Sequence, residues 1–456
     1  MGRDGMIQKN KFKNADYAEL FKLVGPISLQ YLMTSLVSAS DAFMLAFLEQ
    51  KSLSASSLAA QVAFVYSLFF CAFVFGFNVL GAQYYGKGDY GTVRKIISIT
   101  MRYTVLVGVI FSLLTLFIPE LVMNIFTSDT ELITEGAKYL RVVSASYFLT
   151  GISQVYFGVL KVCERAGLSS VIGSSAVVIN ILLNALFIFG IGPFPKLGIM
   201  GAALATVLAR VFEVIFALVA VRKYKCPNAD IKSIFHLTDK QLHKDYWKYT
   251  IPLLINQLGW GGGVAMYSVI MGHLGTDAVA ANSIASIVRT MIASLCWGIA
   301  AAVGIVIGGL LGRNELDEAK RLGRKYTRLS IWIGIVSGIV ILALVPLLMN
   351  VVTLNNIAMS YLKGMLFMSA YYIIGNSLNS TIIAGIFPAG GDTKFGMYCD
   401  LITLWFVIVP AGMLAAFVFK APVLVVAFIL TLDEFVKIPA VYIHYMKYKW
   451  VKNITK

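Results

Sequence analysis

Apolar runs of roughly 20 or more residues follow one another from Leu20 to the end of the 456-residue chain. Each is long enough to cross a bilayer core of about 30 Å. The polar breaks between them are short, and they predict twelve transmembrane helices near residues 24–48, 58–84, 94–117, 136–160, 169–190, 199–222, 247–273, 278–308, 321–348, 360–384, 394–418 and 423–446. No soluble domain fits between these spans. The first run is too long for a cleavable signal peptide and lacks a small-residue cleavage pattern, so it reads as a retained first helix behind a tail. The pattern therefore predicts an all-α integral membrane protein.

Composition agrees with that reading. With 58% hydrophobic and 13% charged residues, the chain has too little charge to solvate a globular surface of its size. Charge also orients it. Of 38 lysines and arginines, 29 gather at the ends and loops on one side, against Lys51, Lys138, Arg141, Lys196, Lys363 and Lys420 on the other. The positive-inside bias predicts both termini in the cytoplasm. The net charge of +15 is scattered over short loops, which fits topology and anionic lipid headgroups and not nucleic acid. Arg210, Arg289 and Lys437 fall within predicted spans.

The chain repeats itself. Phe21-Lys-Leu-Val-Gly-Pro26-Ile-Ser-Leu-Gln30 returns 226 residues later as Trp247-Lys-Tyr-Thr-Ile-Pro252-Leu-Leu-Ile-Asn256. Leu58-Ala-Ala-Gln61 is echoed by Val279-Ala-Ala-Asn282, Gly86-Lys-Gly-Asp89 by Gly312-Arg-Asn-Glu315, and Arg165-Ala-Gly167 by Pro388-Ala-Gly-Gly391. Six spans per half start both halves on the same side, so a pseudo-two-fold axis along the membrane normal is expected. The expected organisation is a tail (1–23), an N-lobe (24–222), a linker (223–246), a C-lobe (247–446) and a second tail (447–456). Two such lobes suit alternating access.

Several polar residues sit where they are expensive. Asp41 lies well inside helix one, and an ionised carboxylate there costs about 2.5 to 3.5 kcal/mol. It must be protonated, paired or bound to a cation. Burial favours its neutral form and a bound cation its charged form, so it can take up and release either a proton or Na⁺. Asn180 and Asn184, four apart on one helical face, and Thr206 on the next helix offer oxygens to a cation or to a protonated Asp41. Thr206, Arg210 and Glu213 form one stripe on helix six, and Glu434 and Lys437 occupy the matching positions 224 residues on with the signs reversed. These charges, with Arg289 and Asp433, are expected to form intramembrane pairs, serving either structure or a relay.

No metal or enzymatic constellation is visible. Cys71, Cys163, Cys226, Cys296 and Cys399 provide neither a disulfide framework nor a CxxC pair. His273 and His444 lie at span ends and His236 and His243 in the linker, so a non-enzyme without cofactor or structural metal is expected.

Asn180-Ile-Leu-Leu-Asn184-Ala-Leu-Phe-Ile-Phe-Gly190 followed by Leu197-Gly-Ile-Met-Gly-Ala-Ala-Leu-Ala-Thr206 resembles the signature of the multidrug and toxic compound extrusion (MATE) family. Pro26, Gly81-Ala-Gln83-Tyr-Tyr-Gly86 and Ala389-Gly-Gly-Asp392-Thr393 are also similar, so the resemblance covers nearly the whole chain. It implies export of organic, often cationic, compounds in exchange for transported Na⁺ or H⁺ across the plasma membrane. An aspartate on helix one with polar residues on helices five and six looks like the cation site of the DinF-like and archaeal branch. That branch commonly adds an acid on helix five where this chain has Asn184, and helices seven and ten lack the acids of other branches. A promiscuous site for flat cations needs π faces, thioethers and amides, which Gln30, Met33, Gln61, Tyr66, Asn256, Gln257, Trp260, Tyr267 and Asn282 offer. The expected partners are small organic substrates and lipid, with the chain acting as a monomer. The rival expectation is a flippase for a lipid-linked oligosaccharide, for which only Arg289 supplies an intramembrane phosphate ligand.

Overall fold

A computed structural model describes residues 17–46, 50–230, 233–234, 239–352 and 354–455. They form α1 (Tyr17–Ala46), α2 (Gln50–Lys87), α3 (Tyr90–Phe117), α4 (Thr130–Val162), α5 (Ala166–Phe189), α6 (Ile199–Lys223), α7 (Lys240–His273), α8 (Thr276–Gly312), α9 (Leu316–Val351), α10 (Asn356–Ala389), α11 (Thr393–Val418), α12 (Val423–Leu430) and α13 (Asp433–Met446). A short helix, Pro119–Asn124, sits between α3 and α4.

Among the described residues nine helices are long and apolar enough to cross a membrane. The other three predicted spans map to α1, to α7, and to α12 with α13. In α7 the amides Asn256 and Gln257 and the run Gly261 to Gly263 dilute the apolar character. The twelfth span is broken at Thr431 and Leu432, which splits it into two shorter helices. Large apolar side chains remain uncovered by protein, Phe406 being 77% exposed, Phe117 71% and Trp332 66%. Lipid is the solvent that suits such surfaces.

Polar residues mark the helix ends. Asp89 begins α3 by accepting from the Thr92 amide at 3.0 Å, and Asn355 begins α10 by accepting from the Ala358 amide at 2.8 Å. Such caps satisfy amides that have no partner inside the helix. Helix ends also carry the repeat. After α2, Gly88 takes φ 86° and Asp89 donates its amide to Tyr84 at 3.0 Å; after α8, Asn314 takes φ 65° and Glu315 donates to Leu310 at 3.0 Å. This left-handed cap explains why glycine in one half matches asparagine in the other. The turns after α4 and α10 match too, with Glu164 (φ 61°) and Gly391 (φ 78°) followed by amide bonds from Arg165 to Leu160 and from Asp392 to Phe387.

The described chain separates into two compact units, Gln30–Met266 and the remainder. The boundaries fall inside α1, between Leu29 and Gln30, and inside α7, between Met266 and Tyr267. The reason is local packing. Ser28, in the first half of α1, donates to the Leu295 carbonyl of α8 at 3.3 Å and fills the space where Gly298 has no side chain. Tyr246, at the start of α7, donates to the Phe73 carbonyl of α2 at 3.1 Å, and Gly76 leaves room for Thr250.

Within each unit the fourth helix of the repeat is central. In the first, α4 packs against α2, α3 and α6; in the second, α10 packs against α8, α9 and α13. Both helices depend on small residues for close approach. A Cβ at Gly151 would lie 3.2 Å from the Thr104 carbonyl, and one at Gly385 would lie 2.6 Å from the Ala300 carbonyl. A backbone oxygen cannot swing aside as a side chain can. Gly385→Ala is therefore expected to destabilise by about 1 to 3 kcal/mol, read as a lower melting temperature of the purified protein. Gly167→Ala, which meets nothing within 4 Å, is expected to leave that temperature within about 0.5 kcal/mol of the native value.

Candidate functional site

Every polar group in a membrane interior needs a partner within the protein, and the first unit gathers several of them around one cavity. α5 presents Asn180 and Asn184 on one face, both buried. The Asn184 side-chain amide donates to Asn180 Oδ1 at 3.2 Å, and the Asn180 amide donates to Thr206 Oγ1 at 3.5 Å. Thr206 in turn donates to the Ala202 carbonyl one helical turn back at 3.0 Å. The result is a chain of oxygens running from α5 to α6.

That chain borders a cavity of about 30 Å³, room for roughly two waters. Gln30 and Thr34 of α1, Gln154 of α4, Asn180 of α5, and Thr206, Arg210 and Glu213 of α6 contribute its polar wall. The stripe expected on α6 faces this space because residues four and seven apart share a helix face. Arg210 donates through Nη1 to both Glu213 carboxylate oxygens, each at 2.8 Å, and Ser153 of α4 donates to Glu213 Oε2 at 3.0 Å. The ion pair and the amide chain are thus walls of the same cavity, although the sequence presented them as separate features. Asp41 lies on α1, but its side chain is outside the described residues, as is all of His236.

The second unit holds a larger charge network. Glu434 and Lys437 of α13 pair at 3.1 Å, and Lys437 also reaches Asp400 of α11 at 3.0 Å. Two amides of α10 serve the same carboxylate: Asn376 donates to Glu434 Oε1 at 3.0 Å and Asn379 to Oε2 at 2.8 Å. Tyr372 adds a longer contact from its hydroxyl to Oε1 at 3.4 Å, and the Arg289 guanidinium lies over the Tyr372 ring at 5.3 Å. Asp433 is buried beside Glu434, and its Oδ1 makes no hydrogen bond among the described residues. The break before α13 puts both acids in its first turn, where the helix dipole favours negative charge. In both units a polar side chain of the fourth helix, Ser153 or Asn376, donates to an acid of the sixth.

The residues expected to line a substrate cavity are dispersed. Gln30 is buried against Ser169, which donates to its Oε1 at 3.5 Å, and it lines the cavity described above. Tyr66 does not; it is packed in a ring cluster with Phe70, Phe111 and Tyr147 at centroid distances of 5.3 to 5.5 Å. Met33, Asn256 and Gln257 are half-buried, Gln61 is exposed, and Trp260 leans on the Phe64 ring at 6.5 Å. Tyr267 and Asn282 belong to the other unit, where Tyr267 packs on the apolar core of α8 and α10. Ser153, Gln154, Tyr372, Asn376, Asn379 and Asp400 were not anticipated. Asp400 could have been found as an acid within a predicted span. The amides on α10 gave no signal apart from their spacing.

The MatE family model matches residues 26–186 and 252–414, one segment in each half. The uncharacterized transporter YisQ of Bacillus subtilis (strain 168) is 22% identical over 395 residues, covering 87% of this chain and 86% of its own. A probable multidrug resistance protein NorM of Rhizobium meliloti (strain 1021) is 25% identical over 392 residues, covering 85% of this chain and 83% of its own. Among solved structures, the Vibrio cholerae MATE transporter VcmN in its bent form superposes with a TM-score of 0.84 at 15% identity, covering 94% of this chain and 96% of that one. At this identity the superposition speaks for the fold.

The C-unit network yields a stability test. Glu434→Ala removes the acceptor of two buried amides and one partner of Lys437, so it is expected to cost about 3 to 5 kcal/mol. Asp400→Asn leaves Glu434 on Lys437 and is expected to cost less. Thermal unfolding of the two variants in detergent should rank them in that order.

Proposed function

The chain belongs to the MatE family, and from that premise we propose that it is an ion-coupled antiporter exporting organic, cationic amphipathic compounds. The carrying observation is the cavity of the first unit, where amide and hydroxyl oxygens and one ion pair from four helices share a space of about 30 Å³. A site that alternately takes up and releases a small cation needs such oxygens beside a titratable or ionised group. In this reading Asp41 is the carboxylate that binds Na⁺ or H⁺, with Asn180, Asn184 and Thr206 as its oxygen ligands or hydrogen-bond partners. Arg210 and Glu213 respond to the change of charge in their shared cavity. The amides, thioether and ring of Gln30, Met33, Gln61, Asn256, Gln257 and Trp260, all within the Gln30–Met266 unit, receive the organic substrate. The asymmetry of basic residues supports an orientation with both termini inside.

Proteoliposomes loaded with a fluorescent cationic dye test this reading under an imposed Na⁺ or H⁺ gradient. One gradient is expected to drive efflux, and Asp41→Asn to reduce it at least about tenfold, equivalent to roughly 1.4 kcal/mol of lost coupling. Undiminished gradient-driven export by the variant would remove Asp41 from the mechanism. Dye that stays put under both gradients would instead favour a lipid-linked substrate and make Arg289 the next residue to change.

The α6 pair can be tested separately. Each single variant, Arg210→Glu or Glu213→Arg, is expected to lower expression by leaving like charges side by side. The double swap is expected to recover expression without recovering efflux, because the sign facing the cavity has changed. Full efflux by the double variant would make the pair purely structural.

A further inference from the structure

Where α6 ends, the chain turns back onto the end of α4, wholly within the Gln30–Met266 unit. Two contacts bracket this return. The Tyr156 hydroxyl donates to Asn228 Oδ1 at 2.8 Å, and the Arg165 guanidinium lies over the Tyr224 ring at 4.9 Å. Between these contacts stand Cys163 at the C-cap of α4 and Cys226 three residues past α6. The backbone is fixed on both sides, with the Cys163 amide donating to Val159 at 2.9 Å and the Cys226 amide to Val221 at 3.0 Å. Cys163 is buried and Cys226 half-buried.

The repeat shows that a thiol pair is not needed to make this turn. The second half carries Lys447-Tyr448-Lys449-Trp450 where the first has Lys223-Tyr224-Lys225-Cys226. There the Trp450 ring secures the return by bulk, fully buried against Gly323 and stacked on Tyr445 at 5.8 Å. The first half uses two sulfurs at the corresponding place.

We infer that Cys163 and Cys226 are a redox-modifiable pair that closes to a disulfide under peroxide and reopens under a thiol reductant, tying the end of α6 to the end of α4. The two thiols are suited to different parts in the chemistry. The hydrogen bond from Cys163 and, after an opposing effect of burial, the Arg165 cation hold Cys226 below the usual thiol range. Cys163 is pushed well above that range by its bond to Cys226 and by burial. Cys226 is therefore the thiolate that reacts first. Its sulfur attacks one peroxide oxygen, the O–O bond breaks, and hydroxide leaves to take up a proton as water. Cys163 sulfur then attacks the Cys226 sulfenic acid; the S–S bond forms, the S–O bond breaks, and the hydroxyl leaves as water with the Cys163 proton. Peroxide accepts both electrons. On the cytoplasmic side proposed above, such a bond is transient and signals oxidation instead of serving as a permanent staple. It joins the helix carrying Ser153 and Gln154 to the helix carrying Thr206, Arg210 and Glu213, two walls of the same cavity.

The test uses the full chain purified in the reduced state and treated with hydrogen peroxide, followed by alkylation and peptide mapping. Two of the five thiols are expected to be lost to alkylation and regained with dithiothreitol, and one linked peptide pair is expected to contain Cys163 and Cys226. Cys163→Ser should leave Cys226 as a sulfenic acid that dimedone captures, and Cys226→Ser should abolish both the link and the capture. Native protein in which peroxide leaves these two peptides unlinked overturns the inference, and that measurement requires no variant to fold.

Discussion

The structure is governed by the cost of charge in an apolar slab. An intramembrane ion costs several kcal/mol unless it finds a partner, and the described charges inside the helices meet that requirement in different ways. Arg210 and Glu213 are three residues apart on one helix and close on each other. Lys437 is shared by two acids from two helices. Arg289 lies against an aromatic face. The acids also draw donors from neighbouring helices, Ser153 to Glu213 and Asn376 to Glu434, and these bonds fix which faces of α4 and α6, and of α10 and α13, meet.

Small residues make those meetings possible. The fourth helix of each half is surrounded by neighbours because glycine and serine let backbones approach to near contact. A bulkier α4 would hold Ser153 away from Glu213, and a bulkier α10 would hold Asn376 and Asn379 away from Glu434. Packing and electrostatics are therefore one constraint: the close approach that satisfies van der Waals contact also delivers the hydrogen-bond donors. Family membership fits this view, since the two matched segments fall on the two halves of the repeat.

Much of the fold was legible in the chain. Long apolar runs mark the spans because lipid demands them, and the proline, amide and glycine echoes reveal the repeat because equivalent turns need equivalent backbone conformations, as Gly88 and Asn314 show. The stripe Thr206, Arg210 and Glu213 was readable from helical spacing alone. Asn376 and Asn379 escaped notice because their importance depends on α10 and α13 converging, and no spacing within one helix encodes that. The surroundings of Tyr66 were equally hidden, since the rings beside it come from α2, α3 and α4.

The sequence by itself determined that this is a twofold-repeated helical membrane protein, which side its basic loops favour, and which buried charges need partners. Those properties follow from local hydropathy, periodicity and charge counts along one chain. Only the tertiary structure decided that Asn180, Thr206, Arg210 and Glu213 border one cavity, that Lys437 answers to Asp400 as well as Glu434, and that α1 and α7 change units partway along their length. Each of these is a contact between residues far apart in the chain, and such contacts depend on where helices cross.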